Sequence, residues 1–309
     1  LKPLWLKRSN SYRAKLCYPE EHFMASTVSS RFASGRAAVL LFGDSITQEG
    51  TTATGGWAAL LAAHFSRRAD VVNRGLAGYN SRWGLQALDS CLPPHAATAL
   101  ATVWFGANDG ADASLNPRQH VPIDEYKTNL TQIVERIRQR CERVIVLSPP
   151  PIHEASYRTV FVEPRQGKGA PLDRSLAVSQ SYAVAAGEVA AATGCAFVDI
   201  WSKVQSAAPV VPGSDEQPWG RYLYDGLHLS QEGNQLVFDE LLSVVREHFL
   251  EVLVEPDRYN GKRDNSGSFS KGLLPHMPWH DAISLQNQDK IFQETSDDCT
   301  DCAKRARVS

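Results

Sequence analysis

The sequence predicts a three-layer α/β/α fold in which a five-stranded parallel sheet lies between two layers of helices. Two observations support this prediction. Short apolar runs recur along the chain, as expected of strands that are buried on both faces. Segments with helical spacing or a helix-favouring composition separate most of these runs, and strands that alternate with helices form parallel sheets covered on both sides.

The first half of the chain contains three predicted strands and two predicted helices. Ala38–Phe42 is a wholly apolar run that stops at a glycine, which indicates a buried strand. Gly56–Phe65 then favours a helix. Asp70–Asn73 and Thr102–Phe105, the latter with the residues just before it, predict the second and third strands. Pro122 suits a first helical position. After it, apolar residues recur at helical spacing, namely Ile123, Tyr126, Leu130, Ile133, Val134 and Ile137.

The second half adds two strands and two helices. Arg143–Leu147 predicts the fourth strand, which the three following prolines end because proline cannot donate to a sheet. Ala177–Thr193 is rich in alanine, ends at a glycine and predicts a long helix. Ala196–Ile200 predicts the fifth strand, and Gln231–Phe249 predicts a closing helix. Together these elements define one α/β domain over residues 38–250.

The segments that flank this domain differ from it in character. Residues 1–37 are expected to be a leader that is disordered or not native, because the first methionine is Met24. An organelle-targeting role for residues 24–36 is the alternative. Residues 251–309 form a polar extension with a stretch rich in glycine, serine and asparagine, and we expect it to be partly docked and partly disordered.

The composition argues against several classes of protein. The 32 basic and 34 acidic residues give a net charge of −2, which does not favour nucleic acid as a partner. No apolar run reaches about 18 residues, so no membrane span is expected. Six scattered cysteines suit a reducing compartment and predict a cytoplasmic protein. Cys299 and Cys302 have C-x-x-C spacing without a second pair, so two ordinary thiols are favoured over a zinc site.

A candidate nucleophile directly follows the first strand, in Gly43-Asp44-Ser45. In open parallel sheets, functional groups gather in the loops at the carboxyl ends of the strands. Ser45 is therefore a candidate nucleophile, and a serine needs a nearby base and an acceptor that orients the base. The alternative is that Asp44 and Ser45 are only turn residues that cap a helix.

The preferred base among nine histidines is His228, in Asp225-Gly226-Leu227-His228. This spacing allows Asp225 to accept the Nδ1–H of the histidine and leaves Nε2 free to face a nucleophile. An exposed turn is the alternative. His64 lies in an apolar helical run and is expected to be packed. Four histidines lie in termini or loops without a nearby acid: His22, His95, His276 and His280. Two lie in strand-end loops, where they could touch substrate: His120 and His153.

Acyl transfer also needs hydrogen-bond donors for the developing oxyanion. Gly78 lies in a glycine-bearing segment after the second strand and can present an unobstructed N–H. Asn108 follows the third strand, and its amide is a neutral donor. Turn chemistry is the alternative for Asn108. With the backbone N–H of Ser45, these two residues would complete an oxyanion hole.

Taken together, these segments resemble the conserved blocks of the SGNH-hydrolase (GDSL esterase) superfamily over the whole predicted domain. Ser45 matches the nucleophile of the first block, and Gly78 and Asn108 match the oxyanion residues of the next two. Asp225 and His228 match the acid–base pair. Four blocks in family order are more specific than any one alone. The resemblance implies a flavodoxin-like SGNH fold, a catalytic triad, and neither a metal nor another cofactor.

A narrower likeness is to the isoamyl acetate-hydrolysing esterase branch. Five segments carry it: Asn73–Gly75, Gly78–Trp83, Phe105–Asp109, Asn116–Pro122 and Asp225–Ser230. A region around Phe161–Lys168 does not match. The likeness implies a serine esterase for short-chain, acetate-type esters that forms an acyl-enzyme. Tyr79, Trp83, His120 and the segment after Pro151 are candidates for the substrate-pocket wall, with ordinary packing as the alternative for each.

Three other functions stay open. An O-deacetylase that acts on acetylated sugars, or an acyl thioesterase, would use the same triad. A non-catalytic flavodoxin-like binding module would keep the fold without turnover. Nucleotide binding is not expected, because the chain has neither G-x-G-x-x-G nor P-loop spacing. The expected partner is a small-molecule ester, and the sequence also leaves a homodimer open.

Overall fold

The computed structural model of the protein describes residues 36–93, 97–208, 217–250 and 252. All of these residues belong to one compact unit, Ser34–Ser284. The expectations for nearly all of the leader, for nearly all of the C-terminal extension and for the Cys299/Cys302 pair lie outside the described residues. The same holds for four of the histidines considered above, His22, His95, His276 and His280.

A five-stranded sheet forms the centre of the fold, with the strands in the order β2-β1-β3-β4-β5. The strands are β1 (Ala37–Gly43), β2 (Ala69–Gly75), β3 (Thr98–Trp104), β4 (Val144–Leu147) and β5 (Ala196–Val198). Every neighbouring pair is parallel. All residues of the central strand β1 except the first are buried, which explains its wholly apolar sequence.

Nine α-helical segments surround the sheet in the described residues. They are α1 (Ser45–Gln48), α2 (Trp57–His64), α3 (Ser81–Cys91), α4 (Ile123–Arg138), α5 (Glu154–Ser156), α6 (Glu163–Gln166), α7 (Leu176–Thr193), α8 (Ile200–Ser206) and α9 (Gln231–His248). A π-helical turn over Tyr157–Val162 joins α5 to α6. Glu49–Thr51 and Pro218–Tyr222 are 3₁₀ turns. None of the described helices is long and apolar enough to cross a membrane.

Alternate residues of β1 pack into two separate apolar clusters. Val39 and Leu41 belong to a cluster with residues of α2, α8 and α9, whereas Leu40 and Phe42 belong to a cluster with residues of α3, α4 and α7. Burial of an aliphatic or aromatic side chain of this size stabilises a fold by about 1.5–3 kcal/mol. The sheet is therefore the middle of three layers, and the predicted α/β/α class is confirmed.

The observed elements differ from the predicted ones in a few places. β5 ends at Val198 rather than at Ile200, because the Asp199 side chain accepts the backbone N–H of Ser202 and starts helix α8. Pro122 is the residue before the first helical position of α4, not the first position itself. The long helix α7 ends as predicted, with Gly194 in the left-handed conformation.

Candidate active site

Ser45 is the first residue of helix α1, directly beyond the buried strand β1. Gly43, which ends the strand, allows the chain to turn close to the neighbouring strand β3. A Cβ there would lie 2.4 Å from the Trp104 carbonyl oxygen. Asp44 then caps α1, with its Oδ1 atom accepting the Ile46 N–H at 2.9 Å. The turn therefore contains the predicted helix cap, and it also presents the Ser45 side chain at the carboxyl edge of the sheet.

The side chains of Ser45, His228 and Asp225 form a continuous chain of hydrogen bonds. Ser45 Oγ lies 2.9 Å from His228 Nε2, although the two residues are 183 positions apart. His228 Nδ1 lies 2.8 Å from Asp225 Oδ2. The other carboxylate oxygen of Asp225 accepts the backbone N–H groups of Leu227 and His228, at 2.9 and 2.8 Å. All three side chains are buried, with His228 only 9% exposed.

The electrostatics of this pair assign the positions of the protons. Burial raises the pKa of the Asp225 carboxyl, but the hydrogen bond and charge of His228 outweigh burial, so the pKa is lowered overall. Burial lowers the pKa of His228, but Asp225 outweighs that effect, so this pKa is raised above 6.5. An ionised carboxylate can only accept, so Nδ1 carries a proton, and in its neutral form the ring offers the Nε2 lone pair to the Ser45 hydroxyl.

The three predicted oxyanion donors follow three adjacent strands of the sheet. Ser45 follows β1, Gly78 follows β2 and Asn108 follows β3. Gly78 has a φ of +77°, which favours glycine at this position. Asn108 donates from Nδ2 to the Tyr79 carbonyl oxygen at 2.8 Å. Its Oδ1 atom accepts two hydrogen bonds, so the amide has one defined orientation.

Two aromatic side chains that the sequence analysis did not name, one of them in the segment after Pro151, lie against the His228 ring. The Tyr224 ring stacks on it at a centroid distance of 5.8 Å, and the Phe161 ring lies at 6.4 Å. The Tyr224 hydroxyl donates to Glu49 Oε2 at 3.2 Å. The one sequence signal for Tyr224 was its position directly before Asp225. Phe161 lies in the region that did not match the family pattern.

A cavity of about 300 Å³ lies beside Tyr224 and Glu49. Its lining includes Ile46, which follows Ser45 in sequence, and Tyr224, which stacks on His228. Glu49 and Leu229 add one charged and one apolar side chain to the wall. The volume is at the lower end of the range for small-molecule sites.

The predicted pocket residues make contacts of their own. The Tyr79 and Trp83 rings pack edge to face at 5.9 Å, and the Arg118 guanidinium lies 5.6 Å from the Trp83 ring centroid. His120 Nδ1 lies 2.8 Å from the Ala111 carbonyl oxygen. These contacts join the loops after β2 and β3, so substrate contact by Tyr79, Trp83 and His120 stays a prediction.

The other described histidines lie outside the hydrogen-bonded chain of Ser45. His64 packs edge to face on Phe65 at 5.0 Å, as expected, and burial lowers its pKa. His153 Nδ1 bonds the Ser156 hydroxyl at 2.8 Å. Within the described parts of the chain, no group of three or more His, Cys, Asp or Glu side chains is placed to hold a metal ion.

A buried Ser-His-Asp chain at the carboxyl edge of a parallel α/β/α sheet is the geometry of a serine-type hydrolase. Residues 41–236 match the model of the GDSL-like Lipase/Acylhydrolase family, and this is more than half of the chain. The chain therefore belongs to that family, and it is a carboxylic ester hydrolase.

Similar proteins come from animals and plants. The chain is 41% identical over 218 residues to the isoamyl acetate-hydrolyzing esterase 1 homolog of Mus musculus, an alignment that covers 67% of this chain and 82% of that protein. It is 36% identical over 267 residues to a GDSL esterase/lipase of Arabidopsis thaliana, which covers 84% of this chain and 98% of that protein.

Solved structures share the fold. An acetylxylan esterase from Geobacillus stearothermophilus matches with a TM-score of 0.53 and 18% identity, covering 69% of this chain and 96% of that one. The lipase/acylhydrolase from Enterococcus faecalis matches with a TM-score of 0.52 and 22% identity, covering 68% and 96% of the two chains. At this level of identity, the likeness speaks for the fold alone.

Proposed function

We propose that this protein is a serine esterase that hydrolyses short-chain, acetate-type carboxylic esters through an acyl-enzyme on Ser45. The observation that carries the proposal is the hydrogen-bonded chain from Ser45 Oγ through His228 to Asp225. A hydroxyl bonded to a neutral imidazole, which is itself held by a carboxylate, is the arrangement that activates a serine.

The proposed reaction has two halves. His228 Nε2 takes the hydroxyl proton as Ser45 Oγ attacks the ester carbonyl carbon, and the proton then passes to the departing alcohol. Water attacks the acyl-enzyme in the second half, with His228 again accepting and then returning a proton. The Ser45 and Gly78 N–H groups and one Asn108 Nδ2 hydrogen stabilise the oxyanion in both halves. No metal or other cofactor takes part.

The choice of a short acyl chain rests on the relatives of this chain. The relatives named isoamyl acetate-hydrolyzing esterase 1 homolog, from several mammals, are 36–41% identical to this chain. The cavity of about 300 Å³ touches this site through Tyr224, which stacks on the His228 ring, and its lining includes neither Ser45 nor His228. The scattered cysteines, of which Cys91 and Cys141 are buried free thiols, support a cytoplasmic location.

A fluorophosphonate probe tests the nucleophile. We expect the folded protein to be labelled, with mass spectrometry locating the adduct on Ser45, and we expect Ser45→Ala to abolish both labelling and ester hydrolysis. Ser114→Ala changes an exposed serine and is the matched control. Labelling at another residue, or full activity of Ser45→Ala, would contradict the proposed mechanism.

A comparison of rates tests the substrate class. We expect kcat/KM for isoamyl acetate to exceed the values for an acetylated xylo-oligosaccharide and for acetyl-CoA. A higher value for the sugar ester would identify an O-deacetylase, and a higher value for the thioester would identify a thioesterase. No turnover of any ester by protein that is folded would favour a binding module.

A further inference from the structure

Arg174 is a buried cation that neither the sequence motifs nor the proposed reaction uses. Its side chain is 5% exposed, and each of its five N–H groups donates to a different acceptor. The acceptors are Ala107 O (3.0 Å), Tyr157 Oη (2.9 Å), Asp173 Oδ2 (2.7 Å), Asn108 Oδ1 (2.9 Å) and Gln119 Oε1 (2.8 Å). A guanidinium with every donor occupied is fixed in both position and orientation.

Gln119 makes a second set of contacts around the same place. Its Nε2 atom donates to the Gly78 carbonyl oxygen at 2.9 Å and to Asn108 Oδ1 at 3.1 Å. Its Oε1 atom accepts from Asn116 Nδ2 and from Arg174 Nη2, both at 2.8 Å. All four hydrogen-bonding positions of the amide are used, so neither rotation nor an exchange of oxygen and nitrogen is available.

These contacts converge on two of the three oxyanion donors. Arg174 and Gln119 both donate to Asn108 Oδ1, which forces the Asn108 Nδ2 atom to the opposite side. One Nδ2 hydrogen binds the Tyr79 carbonyl oxygen, and the second is available to an oxyanion. Gln119 also binds the carbonyl group of Gly78, whose N–H is the other donor.

The charge of Arg174 also reaches the oxyanion position through the Asn108 amide. A cation bonded to Oδ1 draws electron density from the amide and makes the Nδ2–H a stronger donor, because hydrogen bonds in series polarise one another. Asp173 compensates this charge from the Nη1 side of the guanidinium, whereas Asn108 binds Nη2. The guanidinium is thus paired with Asp173 and still donates to Asn108.

We propose that Arg174 and Gln119 are positioning residues for oxyanion stabilisation, which hold Asn108 and Gly78 in place and polarise the Asn108 amide. The inference rests on the proposed function, since it requires Asn108 and Gly78 to be oxyanion donors. The inference also gives a role to the Asn116–Pro122 segment, which is one of the five segments that carry the resemblance to the esterase branch.

Gln119→Glu is the sharpest single test. The new carboxylate still accepts from Arg174 and Asn116, but it cannot donate to Gly78 O or to Asn108 Oδ1 when ionised. We expect kcat to fall by about 10-fold to about 100-fold with KM changed by less than about threefold, because the lost interactions act on the transition state. Gln235→Glu alters an exposed glutamine of α9 and is the matched control.

Arg174→Lys tests the cation. Lysine keeps the charge but not the planar fork, so it cannot serve Asn108, Gln119 and Ala107 together. We expect a loss in kcat of similar size and a matching rise in the Ki of a trifluoromethyl ketone, which forms an oxyanion on Ser45. Arg138→Lys, on the exposed end of α4, is the control. Urea unfolding shows which variants are folded.

A double-mutant cycle separates positioning from a general structural role. In the Asn108→Ala background, Arg174→Lys should lower kcat by only about threefold or less, because its main route of action is gone. If Arg174→Lys does not fold, Gln119→Glu completes the same cycle. Equal losses in both backgrounds, or unchanged kcat and Ki in the folded single variants, would overturn the inference. Unchanged kcat in Asn108→Ala would instead overturn the proposed oxyanion hole.

Discussion

Protonation of His228 sets how the proposed reaction depends on pH. The imidazole acts as a base only when neutral, so kcat/KM should rise as the pH passes the pKa of His228. Burial lowers this pKa, but the hydrogen bond and charge of Asp225 raise it more. The pKa of His228 is therefore above its ordinary value of 6.5. The rise in activity is therefore expected at a pH above the ordinary histidine pKa of 6.5.

Asp225→Asn should move that rise to lower pH. The substitution removes the group that raises the pKa of His228 and leaves burial, which lowers it. Maximal kcat should also drop, by up to roughly 10,000-fold, because an amide can hold the wrong tautomer of the ring. A pH profile of kcat/KM measures both effects. Asp239→Asn, on the exposed face of α9, should leave the profile unchanged, and an unmoved midpoint in Asp225→Asn would contradict the assignment.

Asp44 is a buried carboxyl group whose second oxygen has no hydrogen-bond partner among the described residues. Burial raises the pKa of Asp44 to about 7 and that of Asp109 to about 6. Both groups bind protons more tightly in the folded chain than in the unfolded chain. The fold should therefore lose stability from these groups as the pH rises between about 4 and 7.

Asp44→Asn should flatten this loss. The amide keeps an acceptor for the Ile46 N–H but cannot ionise, so the contribution of Asp44, at most about 1.4 kcal/mol per pH unit, disappears. Urea unfolding across this pH range measures the free energy of unfolding of both proteins. The variant should gain stability relative to the original chain as the pH rises. A constant difference across the range would contradict the raised pKa.

The segment from α5 to α6 is one of the elements that sequence reasoning did not find. It begins beside the acid–base loop, where the His153 N–H donates to the Gly226 carbonyl oxygen at 2.9 Å. Gly226 has a φ of +86°, and a Cβ there would lie 2.4 Å from the Tyr157 nitrogen and 2.6 Å from the His153 oxygen. The close approach of two backbones thus ties this segment to the loop between Asp225 and His228.

Gly226→Ala should therefore cost more than a glycine substitution that only strains φ. We expect it to lower the free energy of unfolding by about 3 kcal/mol or more, and to lower kcat by displacing Asp225 and His228. Gly194→Ala is the control, because its φ is +66° and a Cβ would meet open space. That change should cost about 1–2 kcal/mol and leave kcat intact. Equal costs in urea unfolding would contradict the tight docking at Gly226.

Strongly patterned elements could be predicted from the sequence, and elements that depend on distant packing could not. β1 and α7 were found because one is wholly apolar and the other is an alanine-rich run with a terminal glycine. Helix α3 was missed because it contains Gly84, which lowers helix propensity. The glycine is needed because a Cβ at this position would lie 2.6 Å from the Phe105 ring. No local pattern reveals such a contact.

The candidate site also contains residues that the sequence predicts and residues that only the folded molecule reveals. The Ser45, Gly78, Asn108, Asp225 and His228 segments could be predicted because each carries a short motif at a strand end or turn. Arg174 lies in no such motif, and its partners Ala107, Asn108 and Gln119 are 67, 66 and 55 positions away. Only the folded chain brings these groups together.

Assembly of the triad should coincide with folding of the domain. Ser45 directly follows the first strand, and His228 lies in the loop before the last described helix, so no local segment can hold both. Buried Trp57 and Trp104, whose ring centroids are 5.6 Å apart, lie in the same core and report its packing. In urea, loss of esterase activity and the change in tryptophan emission should follow one transition. Assays at saturating substrate control for weak inhibition by urea. A loss of activity at urea concentrations well below those that change the tryptophan emission would contradict this cooperativity.

The order of the strands places the three proposed oxyanion donors after adjacent strands of the sheet. Their loops leave β2, β1 and β3, which are direct neighbours, and adjacent strands lie about 4.8 Å apart in any sheet. The strand spacing comes from backbone hydrogen bonding, and within the loops Gln119 and Arg174 bind Gly78 and Asn108. Insertions and deletions in loops other than those that carry Gly78, Asn108, Gln119 and Arg174 should thus leave this geometry unchanged. Substrate preference and catalytic power are thereby free to diverge independently among chains with this architecture.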